Sequence, residues 1–290
     1  MSWRTVIVNS QSKLDYKLGF LVIRGVETRR IHIDEIQILL IENPAVSLTG
    51  CLLEVLVEKK VKVIFCDSKR NPCAELIPHH GSHDSSAKIR MQIKWNDDVK
   101  ALIWQEIIGE KIRKQADFLR ELGKESEALL LTSYIGQIEL LDASNREGHA
   151  AKVYFNALFG MQFTRSEKNS INAALNYGYS ILLSAFTREI TANGYLTQLG
   201  IFHSNMFNHF NLASDLMEPF RIIIDRFVKR MDPVEFGTAE KHEMWNILSD
   251  YVMINDSKQM IDNAIKQYTK SAFDAINDND PSEIRFYRLL

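Results

Sequence analysis

Pro78-His-His-Gly-Ser-His-Asp-Ser-Ser86 divides this chain into two parts of different character. The stretch is short, polar and rich in Ser, Gly and His, a composition that favours a connection over an element. On its N-terminal side the apolar residues alternate or cluster in short β-branched runs: Thr5-Val-Ile-Val-Asn9, Gly19-Phe-Leu-Val-Ile-Arg24, Arg30-Ile-His-Ile33, Ile36-Gln-Ile-Leu-Leu-Ile41 and Val61-Lys-Val-Ile-Phe-Cys66. Period-two and fully apolar runs bounded by turn residues predict strands. On the C-terminal side no proline occurs before Pro219, and apolar residues recur at three and four. Ile89, Ile93, Leu102, Ile103, Ile107 and Ile108 form one amphipathic pattern; Leu129, Leu130, Ile135 and Ile138 a second; Ile222, Ile223, Ile224 and Phe227 a third. These patterns predict helices. The expectation is therefore an α+β chain: a small N-terminal β-sandwich-like domain over residues 1–78, a linker over 79–86, and a larger all-helical domain over 87–290. Inside the β domain one helix is expected over residues 48–60, capped by Ser47 and ending in lysines that suit a helix C-terminus.

At 290 residues the chain is long enough to bury a core without disulfide staples. Cys51, Cys66 and Cys73 are odd in number, lack a CxxC spacing and follow no signal peptide, so a reducing cytoplasm is the expected compartment. With 35 Lys+Arg against 37 Asp+Glu, the net charge of −2 excludes nucleic-acid binding through overall basicity and leaves it to local patches. Residues 169–187 and 190–214 carry no charged side chain, yet Asn, Ser, Thr, Gln or His interrupt both, so no membrane span is expected.

Two local compositions point to chemistry. In Asn145-Arg-Glu-Gly-His149, Glu147 falls at the head of a helical pattern, where it serves either as a first-turn acid stabilised by free amides or as a ligand. Asp215 and Glu218 are three apart, so one helix would project both carboxylates from a single face with Arg221 a turn further on. His203, brought in from a preceding loop, would complete a mixed nitrogen and oxygen set suited to Mg²⁺ or Mn²⁺. The bland alternative is a solvated Asp/Glu pair and a satisfied histidine; spacing alone leaves both open. Asn172, Asn176 and Tyr179 share a helix face and can hydrogen-bond a phosphate backbone or a neighbouring helix. His79, His80 and His83 sit in a polar segment without acids or cysteines at ligand spacing and read as solvated loop. Met206, Phe207 and Phe210 read as core or loop anchors.

Four stretches in order, Arg146-Glu-Gly-His-Ala-Ala-Lys-Val-Tyr-Phe155, Asn172-Ala-Ala-Leu-Asn-Tyr-Gly-Tyr179, Leu199-Gly-Ile-Phe-His203 and Asn211-Leu-Ala-Ser-Asp-Leu-Met-Glu-Pro-Phe-Arg221, resemble the CRISPR-associated integrase/endonuclease of spacer acquisition, the universal adaptation Cas protein. Ile31-His-Ile-Asp-Glu-Ile36, Ser47-Leu-Thr-Gly-Cys-Leu-Leu53 and Val63-Ile-Phe-Cys-Asp67 add weaker likeness, so that the resemblance covers nearly the whole chain. Chain size and residues 204–210 look like the type II-A branch. The resemblance implies metal ligands at Glu147, His203 and Glu218, with Asp215, Arg146, Asn172, Tyr179 and Arg221 in support. Glu stands at 218 where some relatives carry Asp, which lengthens one ligand arm. It further implies Mg²⁺ or Mn²⁺ as cofactor and a catalytic helical domain. The implied activity inserts a short captured DNA duplex into a CRISPR array by attack of a 3′-hydroxyl on a repeat phosphodiester; water in its place would nick. The implied partners are double-stranded DNA, a second copy of the chain paired through the β domain, and a small ferredoxin-like protein. In the type II-A branch an effector nuclease and a ring-shaped DNA-binding protein join them, all in a prokaryotic cytoplasm. Two rivals remain: a noncatalytic DNA-binding scaffold subunit, and a general nuclease for branched DNA.

Overall fold

A computed structural model of the chain describes residues 4–68, 70–77 and 82–290. Contacts divide the chain into two units, Met1–Gly81 with Trp245–Ser249, and Ser82–Met244 with Asp250–Leu290. No helix among the described residues is long and apolar enough to cross a membrane.

The first unit contains β1 (Arg4–Val8), β2 (Lys13–Lys17), β3 (Phe20–Arg24), β4 (Thr28–His32), β5 (Ile36–Ile41), β6 (Ser47–Leu48), α1 (Gly50–Glu58), β7 (Lys62–Cys66) and β8 (Pro72–Leu76). One sheet has the order β1-β5-β7-β8 and the other β4-β3-β2-β6. β5 pairs in parallel with both β1 and β7, and a strand flanked on both sides and covered on both faces must be apolar along its length. Ile-Gln-Ile-Leu-Leu-Ile meets that requirement at every position but the half-buried Gln37. Leu14, Leu21, Leu39, Leu52, Leu56 and Val63 from both sheets and α1 form one core. Each such side chain stabilises the unit by ~1.5–3 kcal/mol relative to leaving it in water. The helix expected from residue 48 starts two residues later, because the Thr49 hydroxyl accepts from the Leu52 amide at 3.3 Å. Ser47, the expected cap, is instead a strand residue paired with Lys13.

The second unit contains α2 (Ser85–Ile93), α3 (Asp97–Glu121), α4 (Glu125–Ile135), α5 (Arg146–Phe159), α6 (Ser170–Ala192), α7 (Asn211–Leu216), α8 (Arg221–Met231), α9 (Thr238–Trp245), β9 (Tyr251–Ile254), β10 (Ser257–Met260) and α10 (Ile261–Asp278). The expectation of a helical framework needs one addition, the antiparallel β9–β10 hairpin. Residues 79–81 of the expected linker, including His79 and His80, lie outside the described residues, as does Pro78, and His83 is exposed. The linker also ends earlier than expected. The Ser85 hydroxyl donates to the Ser82 carbonyl at 2.6 Å, and that turn leads directly into α2. α3 and α6 are the long buried axes of this unit. Each is started by an asparagine whose side chain accepts an amide, Asn96 from Asp98 and Asn169 from Asn172, both at 2.8 Å.

Candidate active site

Three of the helical unit's elements converge through α3. Its buried face carries Ile103, Trp104, Ile107, Ile108, Ile112 and Leu119, as a core helix should, but Glu110, Lys111 and Lys114 are buried among them. Buried charges demand partners. Lys111 Nζ donates to Glu147 Oε1 at 2.6 Å and to Glu218 Oε2 at 2.5 Å. Burial pushes the ammonium towards losing its proton; the charges of Glu218 and Glu147 outweigh that and hold its pKa above that of an ordinary lysine.

Glu147 is held where it is by the chain just before it. Leu141, Asp142 and Asn145 all take positive φ, an unusual run for residues with side chains. The reversal lets the buried Asp142 carboxylate accept from the Arg146 amide at 2.7 Å and the Glu147 amide at 3.0 Å. Asp142 therefore satisfies the first amides of α5, and Glu147 stays in the first turn with its own carboxylate free for Lys111. A Cβ at Gly148 would fall 2.6 Å from Asn145 Oδ1, so a side chain there would have to push the exposed Asn145 amide aside.

Glu218 does not share a helix face with Asp215, contrary to the i,i+3 expectation. α7 stops at Leu216, and Glu218 opens a separate 3-10 turn with Pro219 in its first positions. The two carboxylates consequently serve different partners. Glu218 is buried, with Oε1 accepting from Arg221 Nε at 2.9 Å and Oε2 from Lys111. Burial pushes its carboxyl up, but the Arg221 and Lys111 charges prevail and hold it below the usual carboxylate range. Asp215 is completely buried and organises the loop that carries the histidine. It accepts the amides of Ile201 at 2.6 Å, Phe202 at 3.0 Å and His203 at 3.1 Å, and faces His203 Nδ1 at 2.5 Å. Gly200 permits this close approach, since a Cβ there would lie 2.7 Å from Asp215 Oδ2 and 2.3 Å from the His203 carbonyl oxygen. The hydrogen bond to Asp215 raises the His203 pKa against its partial burial. It also fixes the ring, so that Nε2 is the nitrogen left to face a ligand. Phe202 stacks on the buried Trp104 with ring centroids 4.4 Å apart, which anchors the loop to α3.

The supporting residues are structural in different degrees. Arg221 also lies over the Tyr179 ring at 4.6 Å, and Tyr179 hydrogen-bonds Asp225, which accepts from Tyr154 as well. Asp225 is fully enclosed, and burial pushes its carboxyl up to about 6 against the two phenols and Arg221. Asn172 is consumed internally by Arg165 and the carbonyls of Thr164 and Glu167. Asn176 is exposed, and its Oδ1 accepts from Arg165 at 2.6 Å. Arg146 packs over Tyr134 at 5.4 Å. Met206 and Phe207 are strongly exposed and anchor no core. A cleft of about 570 Å³ opens beside His203, lined in part by Trp95, Lys100, Gln198, Asn205 and His209.

The donors suit a hard divalent ion in kind: two carboxylates and an imidazole with one nitrogen to spare. As arranged, no three His, Cys, Asp or Glu side chains among the described residues form a ready ligand set. The cation already between Glu147 and Glu218 is the Lys111 ammonium. Lys111, Asp142 and Asp225 were missed by sequence reasoning. The signal for Lys111 was present, as a charged residue at a position where the α3 periodicity calls for an apolar one.

Comparison with known proteins places this architecture. The sequence family described as CRISPR associated protein Cas1 matches residues 5–234. A protein of Neisseria meningitidis serogroup C, strain 8013, described as CRISPR-associated endonuclease Cas1, is 35% identical over 226 residues, covering 78% of this chain and 74% of its own length. Among solved structures, a chain of a casposase bound to integration product superposes with a TM-score of 0.78 at 18% identity, over 97% of this chain and 92% of that one. A chain of a Cas6-RT-Cas1--Cas2 complex gives a TM-score of 0.75 at 17% identity, over 99% of this chain and 36% of that one. These two likenesses concern the fold; the sequence matches carry the family. The chain belongs to the CRISPR associated protein Cas1 family.

Proposed function

We propose that the chain is a metal-dependent DNA integrase and endonuclease of CRISPR adaptation, with Glu147, His203 and Glu218 as the ion ligands. The observation that carries the reading is the convergence of Glu147 and Glu218 on one cation beside a histidine oriented by Asp215. A Mg²⁺ or Mn²⁺ ion held there would polarise the phosphoryl oxygen and offset the charge that builds on it. The chain's own groups do the rest. Asp215 holds the His203 ring with Nδ1 engaged and Nε2 presented. Arg221 holds one oxygen of Glu218 and leaves the other for the shared site. The Tyr179 and Asp225 pair supports Arg221 from behind. The cleft beside His203 offers amides, an imidazole and Lys100 to a phosphodiester strand.

In the proposed reaction the 3′-hydroxyl of a captured duplex attacks a repeat phosphodiester. One P–O ester bond forms as another breaks, and the leaving 3′-oxygen takes up a proton, so no external energy source is consumed. Water as nucleophile gives a nick, and the reverse reaction disintegrates branched DNA. With so low an overall charge, long DNA would be held by local Lys and Arg together with partners. We include among these a second copy of the chain and the small ferredoxin-like protein; a solved structure of this fold is a chain of a Cas6-RT-Cas1--Cas2 complex. The cytoplasmic location and the type II-A branch, with its effector nuclease and ring-shaped protein, belong to the same proposal and rest on the sequence resemblance.

The test is strand transfer of a labelled short duplex into a supercoiled plasmid bearing a CRISPR repeat, with the small partner and Mg²⁺ or Mn²⁺. Wild type should join at a repeat end and Glu147→Ala should not. Folded wild type that binds the DNA without joining or nicking would replace this reading with a scaffold role. Cleavage of branched DNA indifferent to repeat sequence would replace it with a general nuclease.

A further inference from the structure

We propose that Lys111 is a built-in counter-cation, which occupies the divalent-ion position in the metal-free protein and must withdraw for the ion to bind. This rests on the reading of Glu147, His203 and Glu218 as ion ligands, and adds to it a competitor supplied by the chain itself. The argument begins with burial. Glu218 is almost wholly shielded and Glu147 is three-quarters shielded, with side-chain exposures of 4% and 24%. Two carboxylates facing each other in such a place repel strongly unless a cation sits between them. Lys111 Nζ touches one oxygen of each, at 2.6 Å and 2.5 Å, and the Glu147 carboxylate has no other side-chain partner among the described residues.

A divalent ion held by Glu147 and Glu218 would have to take Glu218 Oε2 from Lys111, since Arg221 already holds the other oxygen. It cannot share Oε2 with an ammonium, because the two cations would then be in contact in a poorly screened site. Lysine suits a displaceable role better than arginine: its compact charge ends a flexible four-carbon stem, whereas a guanidinium would lock onto the carboxylates in a fixed fork. Arg221 shows the contrast. It grips the other oxygen of Glu218 and is stacked on Tyr179, so it stays as a fixed neighbour. The consequence is a site kept assembled and charge-balanced without metal, and weakened in its metal affinity by the work of expelling Lys111.

The experiment titrates Mn²⁺ into the full chain by calorimetry, comparing wild type, Lys111→Met and Glu147→Gln. Lys111→Met should bind Mn²⁺ about tenfold more tightly or better, and its thermal midpoint should rise more on adding Mn²⁺ than that of wild type. Equal or weaker binding by a folded Lys111→Met overturns the proposal. Wild type gives a second measurement that needs no variant to fold. Labelling by an amine-acylating reagent, read at Lys111 by mass spectrometry, should speed up several-fold with Mn²⁺; unchanged or slower labelling overturns the proposal. Glu147→Gln separates the two ideas. If it binds Mn²⁺ as wild type does, the ion-ligand reading fails and takes this one with it. If it loses Mn²⁺ while neither Lys111 readout moves, only the competitor role fails.

Discussion

Asp215→Ala removes the acceptor around which residues 200–203 are folded. Four donors lose their partner at once: the amides of Ile201, Phe202 and His203, and His203 Nδ1. Leaving a buried donor unsatisfied costs about 1–3 kcal/mol. Ile201 is buried, so its amide bears the full cost, whereas Phe202 and His203 are partly exposed and water can reach their side of the loop. A loss of about 3–4 kcal/mol follows, less than four times the single cost because the donors share one acceptor and relax together. The helical unit falls in the size range where 1 kcal/mol moves the midpoint by ~2–4 °C, so Tm should fall by about 10 °C. Asp215→Asn keeps one acceptor oxygen but turns an NH₂ towards the remaining donors, and should recover only part of the loss. Thermal unfolding followed by circular dichroism gives the midpoints, and the His203 ring resonances report whether its orientation survives. An Asp215→Ala midpoint within about 2 °C of wild type, with unaltered His203 resonances, would refute the role assigned to this carboxylate.

Gly200→Ala should disturb the same loop from the opposite side, since its Cβ would collide with Asp215 Oδ2 and the His203 carbonyl. A cost of about 1–3 kcal/mol in urea unfolding is expected, and normal stability would show that the loop is looser than its contacts imply. Asp142→Ala removes the cap on two α5 amides. It should cost ~0.5–2 kcal/mol and loosen Glu147, seen as faster amide hydrogen exchange at residues 146 and 147; unchanged exchange there would count against it. Asp225 supplies a pH signature. Its carboxyl is raised from 3.8 to about 6 by burial, so between those values the folded protein holds a proton that the unfolded chain has released. Its contribution to stability is full below the lower value and is lost as pH rises through about 6, by roughly 3 kcal/mol at about 1.4 kcal/mol per pH unit. Wild type should therefore weaken relative to Asp225→Asn between about pH 4 and 7, and parallel pH profiles of the two in urea titrations would contradict this.

The architecture was legible where burial is two-sided or strictly periodic. β5 and β7 announce themselves because strands paired on both edges are mostly apolar, Gln37 and Lys62 apart. β2, Lys13-Leu-Asp-Tyr-Lys17, escaped notice because only Leu14 is fully buried and its charges face outwards. β8 begins with Pro72 and is an edge strand, which weakens its pattern. The β9–β10 hairpin is polar along β10, and its signal was the Asn255-Asp256 turn, both residues at positive φ. At the site, spacing left Glu147, His203 and Glu218 open, the resemblance pointed to them, and neither said how they are held. The shared helix face drawn for Asp215 and Glu218 failed because the amides of residues 201–203 claim Asp215, while Pro219 starts a new turn. The α3 pattern marked Lys111 as a charge on an apolar face, but its partners were hidden by distance in sequence, since nothing in that pattern says which carboxylates its ammonium meets.

On the proposed reading, Glu147, His203 and Glu218 together form a phosphoryl-transfer site on DNA. The most direct measurement is disintegration of a branched DNA substrate that mimics the joined product, assayed with Mn²⁺ for wild type, Glu147→Gln, His203→Ala and Glu218→Gln at matched DNA binding and verified fold. The account predicts a joined strand from wild type and loss of that product in all three variants, with DNA still bound. Product from any folded variant at the wild-type rate would contradict the assignment of that residue, and wild-type rates from all three would contradict the site.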